Sequence, residues 1–180
     1  MKRVITLLLS LMLVLSLAAC GNSNNNGGKT EVTLTAAEVL DSLKKSLGES
    51  YTSDTAETED RMTGYWGLDL SQVESWAAET NSNSSLNSDC AIILKVKDGY
   101  ANTAAAALQK GFDQIVSYNR MYDMDLQRVL QGRLYINGNY VALIIEGQQG
   151  DWQASAEDQA KFAAEEAAKV DEAWKAVFGA

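Results

Sequence analysis

The sequence predicts an α+β domain, in which a small antiparallel sheet of three to four strands with a C-terminal hairpin is packed by three main helices. Three observations support this class. The pair Asn137-Gly138 separates two apolar runs, as in a two-residue β-hairpin. The short β-branched run from Ala91 to Val96 has the composition of a buried strand. Three longer stretches repeat apolar residues at helical spacing.

Residues 1–19 have the features of an export leader. Lys2 and Arg3 precede an apolar run that ends at Leu17, and this run is shorter than the roughly 20 residues that span a bilayer. Leu17-Ala18-Ala19-Cys20 follows and resembles the lipobox of bacterial lipoproteins. The resemblance implies that signal peptidase recognises Leu17, Ala18 and Ala19, and that a diacylglyceryl group is attached to the Cys20 sulfur. A conventional secretory leader or an uncleaved anchor is the alternative.

Residues 20–34 are predicted to form the lipidated cysteine and a flexible tether. The stretch from Gly21 to Thr30 is rich in Gly and Asn and has no apolar residue, which is typical of a random-coil linker. Residues 35–180 then form a single α+β domain. This organisation places the domain at the cell membrane, anchored by lipid on the extracytoplasmic face.

The first helix of the domain is predicted to begin at Thr35. Thr35 and Glu38 have the spacing of a capping box, in which each side chain bonds the other residue's backbone N–H. Gly48 is a suitable end. Between them, three leucines recur at helical spacing, namely Leu40, Leu43 and Leu47.

The region from Glu49 to Asn87 is the least regular. Asp69 is expected to cap a turn, and a fourth strand is possible within residues 73–80. The strand that ends at Val96 is followed by Asp98-Gly99, which predicts a turn.

A long helix is predicted next, capped by Asn102 or Thr103. Gly111 inside it costs about 1 kcal/mol relative to Ala, which indicates close packing against a neighbour. The Asn137-Gly138 hairpin is predicted to have a type I′ turn, and its second strand is apolar on both faces, as expected for a central strand. Ser155 is expected to cap the final helix, which ends at Gly179.

Composition limits the possible functions. The formal net charge is −9, and loss of Lys2 and Arg3 with the leader would make it more negative, so nucleic acid is not expected as a partner. The sequence has no His, so it has no His general base and no His metal ligand. Of the two cysteines, Cys20 would be lipidated, which leaves Cys90 as an expected small buried hydrophobe.

Aromatic residues are the weak candidates for ligand contact: Tyr65, Trp66, Trp76 and Trp152. Such rings can stack on a sugar, although they also fill cores by area alone. Asp123, Asp125 and Arg128 form a polar cluster, but the spacing of an EF-hand is missing, so a loop or a helix cap is the expected role. The sequence assigns no catalytic residue, no cofactor site and no metal site.

Several of these segments together resemble a family of uncharacterised lipoproteins from Gram-positive, clostridial-type bacteria, which carry a domain of unknown function. The resemblance extends from about Val39 to Glu146, and its features are the lipobox, Gly67-Leu68-Asp69, the strand from Ile92 to Val96 with Lys97-Asp98-Gly99, Leu108, and Gly138-Asn139-Tyr140-Val141. It implies an α+β domain at the cell surface and no known activity.

The expected function is therefore a non-catalytic binding or envelope-associated module. Its partners would be the membrane, through the lipid on Cys20, and a protein or glycan of the cell envelope. Two alternatives remain open. The first is the small-ligand receptor of a transporter, and the second is a hydrolase of cell-wall glycan that uses two carboxylates in a cleft.

Overall fold

A computed structural model describes residues 32–83, 87–122 and 125–179. The predicted leader, Cys20 and most of the tether lie outside these residues, and so does Asp123. The α+β class is confirmed, and the sheet has five strands rather than three to four. In chain order the elements are α1 (Ala36–Leu47), β1 (Thr55–Ala56), α2 (Glu59–Gly64), β2 (Val73–Thr80), β3 (Cys90–Val96), α3 (Ala101–Tyr122), α4 (Leu126–Val129), β4 (Arg133–Asn137), β5 (Tyr140–Ile145) and α5 (Ala156–Phe178).

The sheet is antiparallel throughout, with the order β1-β2-β3-β5-β4. The strand expected within residues 73–80 is present as β2, and it pairs with β3 from Val73↔Val96 to Thr80↔Cys90. β5 lies between β3 and β4, and each of its residues is buried. Its prediction as a central strand is therefore confirmed.

Helices cover both faces of the sheet. Ile92, Leu94 and Val96 point to one face, where they form a core with α3 residues such as Leu108. Ala91 and Ile93 alternate with them and point to the opposite face. The core on that face also contains residues of α1 and α5, among them Val39, Leu43, Val170 and Trp174. The double coverage explains why β3 and β5 are apolar on both sides.

The predicted helix ends are largely confirmed. Thr35 caps α1 with the complete capping box to Glu38, and Gly48 ends the helix. Ser155 caps α5, and Gly179 ends it in the left-handed conformation. The start of α3 is earlier than predicted: the helix begins at Ala101, and the Ala104 N–H donates to the Tyr100 carbonyl at 3.0 Å. Asn102 and Thr103 therefore lie inside the first turn.

The hairpin is present, but its turn differs from the predicted type I′. Asn137 is the last residue of β4 and pairs with Tyr140, so the two turn residues are Gly138 and Asn139. Only Gly138 has a positive φ, of 59°, which is the pattern of a type II′ turn with Gly in first position. The predicted register of the turn was therefore wrong by one residue.

Two short elements were not predicted. β1 is an edge strand of two residues, which pairs with the end of β2 through Thr55↔Thr80 and Ala56↔Glu79. α4 is a single helical turn that begins after Asp125. In the ranges 32–83, 87–122 and 125–179, no helix combines the length and the apolar character needed to cross a bilayer.

Candidate functional site

A cleft with a volume of about 590 Å³ opens beside the edge of the sheet. Its walls come from the segment 55–66 that contains β1 and α2, from residues 80–82 and 87–90 at the adjoining ends of β2 and β3, and from the last turns of α3. The volume is within the range of about 300–1,000 Å³ that is typical of small-ligand sites. The lining combines aromatic rings, hydroxyl and amide side chains, and three charged side chains.

Glu57 places a carboxylate in the first wall. Its N–H donates to the Ala78 carbonyl at 2.9 Å, which extends the β1–β2 pairing by one residue. Thr58 then caps α2, so the chain turns and Arg61 comes to lie one helical turn after Glu57. The Arg61 Nε donates to Glu57 Oε2 at 2.8 Å. The other oxygen, Oε1, is buried and has no hydrogen-bond partner in the part of the chain that the structure describes.

Trp66 forms the adjoining part of the wall and is only 2% exposed. Its ring lies against α3 at Gly111, where a Cβ would come within 2.5 Å of the ring carbons Cε3 and Cζ3. The close packing expected at Gly111 is thus confirmed. The indole Nε1 is buried, and among the described residues it finds no acceptor. The cleft wall therefore contains one unpartnered acceptor, on Glu57, and one unpartnered donor, on Trp66.

Two tyrosine rings border the cleft and are about half exposed: Tyr65 at 42% and Tyr118 at 50%. The Tyr65 ring packs edge-on against Trp66, with centroids 5.0 Å apart, and the Arg61 guanidinium lies 4.9 Å from its centroid. Tyr118 packs against Tyr122, with ring centroids 4.7 Å apart. Each ring is thus held by a neighbour and still presents apolar surface to solvent.

Asp89 and Cys90, at the start of β3, also line the cleft. The Cys90 thiol is buried, and burial raises its pKa well above the usual value, with Glu146 and Asp89 adding to the effect. A thiol in this environment is inert, which agrees with the small buried hydrophobe expected from the sequence.

The Asp89 carboxylate is occupied by an ion pair with Arg128, and both side chains are almost completely buried. The Thr52 hydroxyl donates to its second oxygen. Arg128 also pairs with Asp125 and donates to the Gly147 carbonyl at 3.1 Å. Burial raises the pKa of Asp89, although Arg128 opposes this. Asp125 and Arg128 thus belong to a structural network that connects α4 to β3 and to the end of β5.

Glu146 follows β5 in the same buried region. Its Oε2 accepts from the Thr52 N–H at 2.7 Å, whereas its Oε1 and the Ser53 Oγ are buried without partners in the ranges described. Burial, together with the nearby Asp89 charge, raises the pKa of Glu146 to about 7. Glu146 therefore changes its charge near neutral pH.

A second cavity, of about 790 Å³, lies between α4 and the start of α5. Trp152 lines it and is 82% exposed. The four aromatic candidates are therefore divided: Tyr65 and Trp66 meet in the cleft, Trp152 is at the second cavity, and Trp76 packs against the α3-side core.

Sequence reasoning did not identify Glu57, Arg61 or Tyr118 as site residues. The Glu57–Arg61 spacing of four residues was the one available signal, since acidic and basic side chains at that spacing pair on a helix face. Across the described ranges, no three His, Cys, Asp or Glu side chains converge as metal ligands would.

The family model for a domain of unknown function (DUF4358) matches residues 35–146. This range includes all five strands and the complete lining of the cleft, and it ends at Glu146, before α5. The comparisons with curated proteins and with solved structures give no significant match. Because the family model covers more than half of the sequence, the chain belongs to the DUF4358 family.

Proposed function

We propose that this protein is a lipid-anchored, extracytoplasmic module that binds a ligand without catalysing a reaction. The ligand would occupy the cleft lined by α2, α3 and residues 80–82 and 87–90. The membrane anchor is supported by the sequence, through Cys20 and the preceding Leu17, Ala18 and Ala19. The flexible stretch after Cys20 would hold the domain near the membrane.

The main support for a binding site comes from two unpartnered polar atoms in the cleft wall, Glu57 Oε1 and Trp66 Nε1. Leaving a buried donor or acceptor unpaired costs about 1–3 kcal/mol. A ligand that hydrogen-bonds both groups would remove this cost. Both atoms are buried, so binding requires a rotamer change that turns them towards the ligand, and such changes are common at binding surfaces.

Thermal unfolding in the presence of a compound library tests the binding site. The library contains sugars, amino acids, short peptides, nucleosides and amines, and the protein is the Cys20→Ser variant, which avoids lipidation. A ligand at 100 times its Kd stabilises the fold by about 2.7 kcal/mol. We expect a stabilising compound whose effect is reduced by Glu57→Gln and by Trp66→Phe, and is unchanged by Trp152→Ala. The proposal would be contradicted if no compound stabilised the protein, or if every stabilising compound acted equally on the wild type, Glu57→Gln and Trp66→Phe.

Labelling with an alkyne analogue of palmitate tests the anchor. The protein is produced in a bacterium that processes lipoproteins, and label is read on the purified chain. We expect label on the wild type and on Cys90→Ser, and none on Cys20→Ser. Label that persists on Cys20→Ser would show that Cys20 is not the attachment site.

A carboxylate-dependent glycan hydrolase is the second candidate, because Glu57 and Asp89 both line the cleft. Against it, both Asp89 oxygens already accept hydrogen bonds, from Thr52 and Arg128. Release of reducing ends from cell-wall glycan, abolished by Glu57→Gln, would favour the hydrolase over the binding module.

A further inference from the structure

We infer that the cleft recognises a neutral ring rich in hydroxyl groups, which is the chemistry of a saccharide unit. The inference rests on the proposed function, because it takes the cleft as the ligand site. Charge balance, hydrogen-bonding capacity and the exposed tyrosine rings support it independently.

The charge balance favours a neutral ligand. The charged side chains that line the cleft are Glu57, Arg61 and Asp89. Glu57 and Arg61 form an ion pair, with Arg61 Nε 2.8 Å from Glu57 Oε2. Asp89 pairs with the buried Arg128. In the described part of the lining, each charged side chain thus has an oppositely charged partner, although Arg128 is shared with Asp125. A charged ligand would lose its hydration without gaining an unpaired opposite charge, which is unfavourable.

The hydrogen-bonding capacity favours hydroxyl groups. Glu57 Oε1 can only accept a hydrogen bond, and Trp66 Nε1–H can only donate one. A hydroxyl group does both, and its bond to a carboxylate is strengthened by the charge. Hydroxyl and amide side chains also line the cleft, among them Thr58, Asn81 and Ser82. Each of these three side chains makes one or two hydrogen bonds within the protein and keeps further hydrogen-bonding positions. A saccharide presents hydroxyl groups around its whole perimeter, so it can bond Glu57, Trp66 and the remaining hydrogen-bonding positions of these side chains at once. A purely aromatic ligand offers no such set of groups.

The tyrosine rings provide the apolar part of the site. Tyr65 and Tyr118 border the cleft with their rings about half exposed, and a saccharide ring has an apolar face of C–H groups that can cover such a surface. The Arg61 guanidinium already lies at the Tyr65 ring, 4.9 Å from its centroid. It occupies one face of this ring, where a cationic ligand would gain from the π-electrons, and it would repel such a ligand.

Ligand-observed saturation-transfer NMR with the Cys20→Ser protein tests the inference. The neutral probes are cellobiose, N,N′-diacetylchitobiose and glucose. Glucosamine and glucuronate differ from glucose chiefly in charge, and choline, adenosine and dialanine represent other ligand classes. We expect at least one neutral saccharide to bind, and the two charged sugars to bind at least about tenfold more weakly than glucose, the difference that about 1.4 kcal/mol produces.

Variants then locate the binding. Glu57→Gln, Trp66→Phe and Tyr118→Ala are each expected to weaken saccharide binding by about tenfold, as loss of one good contact does. Trp152→Ala changes an exposed aromatic residue at the other cavity and is expected to bind like the wild type. Trp66 packs on Gly111, so Trp66→Phe could fail to fold. In that case Glu57→Gln and Tyr118→Ala still test whether the saccharide binds in the cleft.

Two results would overturn the inference and leave the binding site intact: cleft-dependent binding of choline, adenosine or dialanine without any saccharide, and equal affinity for glucose, glucosamine and glucuronate. If no probe binds and the wider library also gives no cleft-dependent ligand, the proposed function itself fails.

Discussion

The indole ring of Trp66 lies against the backbone of Gly111 so closely that a Cβ on Gly111 would come within 2.5 Å of two ring carbons. This contact joins the segment after α2 to the middle of α3, and thereby joins two walls of the cleft. An alanine in the interior of a helix is normally more favourable than glycine by about 1 kcal/mol, so the absence of a side chain at this position reflects packing.

Gly111→Ala should therefore destabilise the protein despite the better helix propensity. We expect a loss of about 1–3 kcal/mol, as for other overpacked sites, measured by urea unfolding. Gly64→Ala is the matched control, because Gly64 also lies in a helix but a Cβ added there would have no neighbouring atom within 4 Å. It should be neutral or stabilising. A Gly111→Ala protein as stable as Gly64→Ala would show that the contact does not constrain the fold.

The Asp89–Arg128 pair predicts a large loss of stability when one partner is removed. Both side chains are at most 3% exposed, and an uncompensated buried charge costs about 3–5 kcal/mol. We expect this loss in urea unfolding of Arg128→Met, and a smaller loss in the double variant Arg128→Met/Asp89→Leu. The control is Lys44→Met, whose pair with Glu79 is 37% and 18% exposed and should contribute at most about 1 kcal/mol. If Arg128→Met and Lys44→Met lowered the free energy of unfolding equally, the stabilising role of the buried Asp89–Arg128 pair would be contradicted.

Glu146 predicts a dependence of stability on pH. Its pKa is raised to about 7 in the folded protein, against about 4.3 in an unfolded chain. Between these values the folded state holds a proton that the unfolded state has lost. The free energy of unfolding should therefore fall by about 1.4 kcal/mol per pH unit as the pH rises from about 5 to 7, and this contribution should level off above pH 7.

The comparison with Glu146→Gln isolates this effect, because glutamine keeps an acceptor for the Thr52 N–H and does not titrate. The variant should gain stability relative to the wild type as the pH rises towards 7. Parallel stability curves for the two proteins across this range would show that Glu146 has an ordinary pKa.

Because the Cys90 thiol is buried, we expect it to react slowly with thiol reagents in the native protein. With 2% exposure and a pKa raised by burial, Cys90 should react with DTNB only when the fold opens. In the Cys20→Ser variant, we expect one reactive thiol in 6 M guanidinium chloride and almost none in the native protein over an hour. Complete native labelling within minutes would place the thiol at an accessible surface of the cleft.

The sequence predicted those elements whose signals are local. The capping box at Thr35, the cap at Ser155 and the apolar runs of β3 and β5 each depend on a few neighbouring residues, and the structure confirms them. The hairpin was predicted, but its turn was shifted by one residue, because both Asn-Gly and Gly-Asn pairs are compatible with two-residue turns.

The cleft could not be predicted in the same way. Glu57 and Tyr118 are 61 positions apart in the sequence, and they come together only when α3 packs on the sheet. The burial of Asp89 and Arg128 likewise depends on the meeting of β3, α4 and the end of β5. Tyr65 and Trp66 were identified by residue type, but residue type alone did not separate them from Trp76 and Trp152.

The indole N–H of Trp66 offers the most direct test of the central claim that the cleft binds a ligand. Its ¹H–¹⁵N signal can be assigned by its absence in Trp66→Phe. When cellobiose, or the best compound of the library, is added to saturation, we predict that the Trp66 indole signal shifts while the Trp152 signal stays in place. A ligand that saturates the protein and leaves the Trp66 signal unmoved would contradict the assignment of this cleft as the binding site.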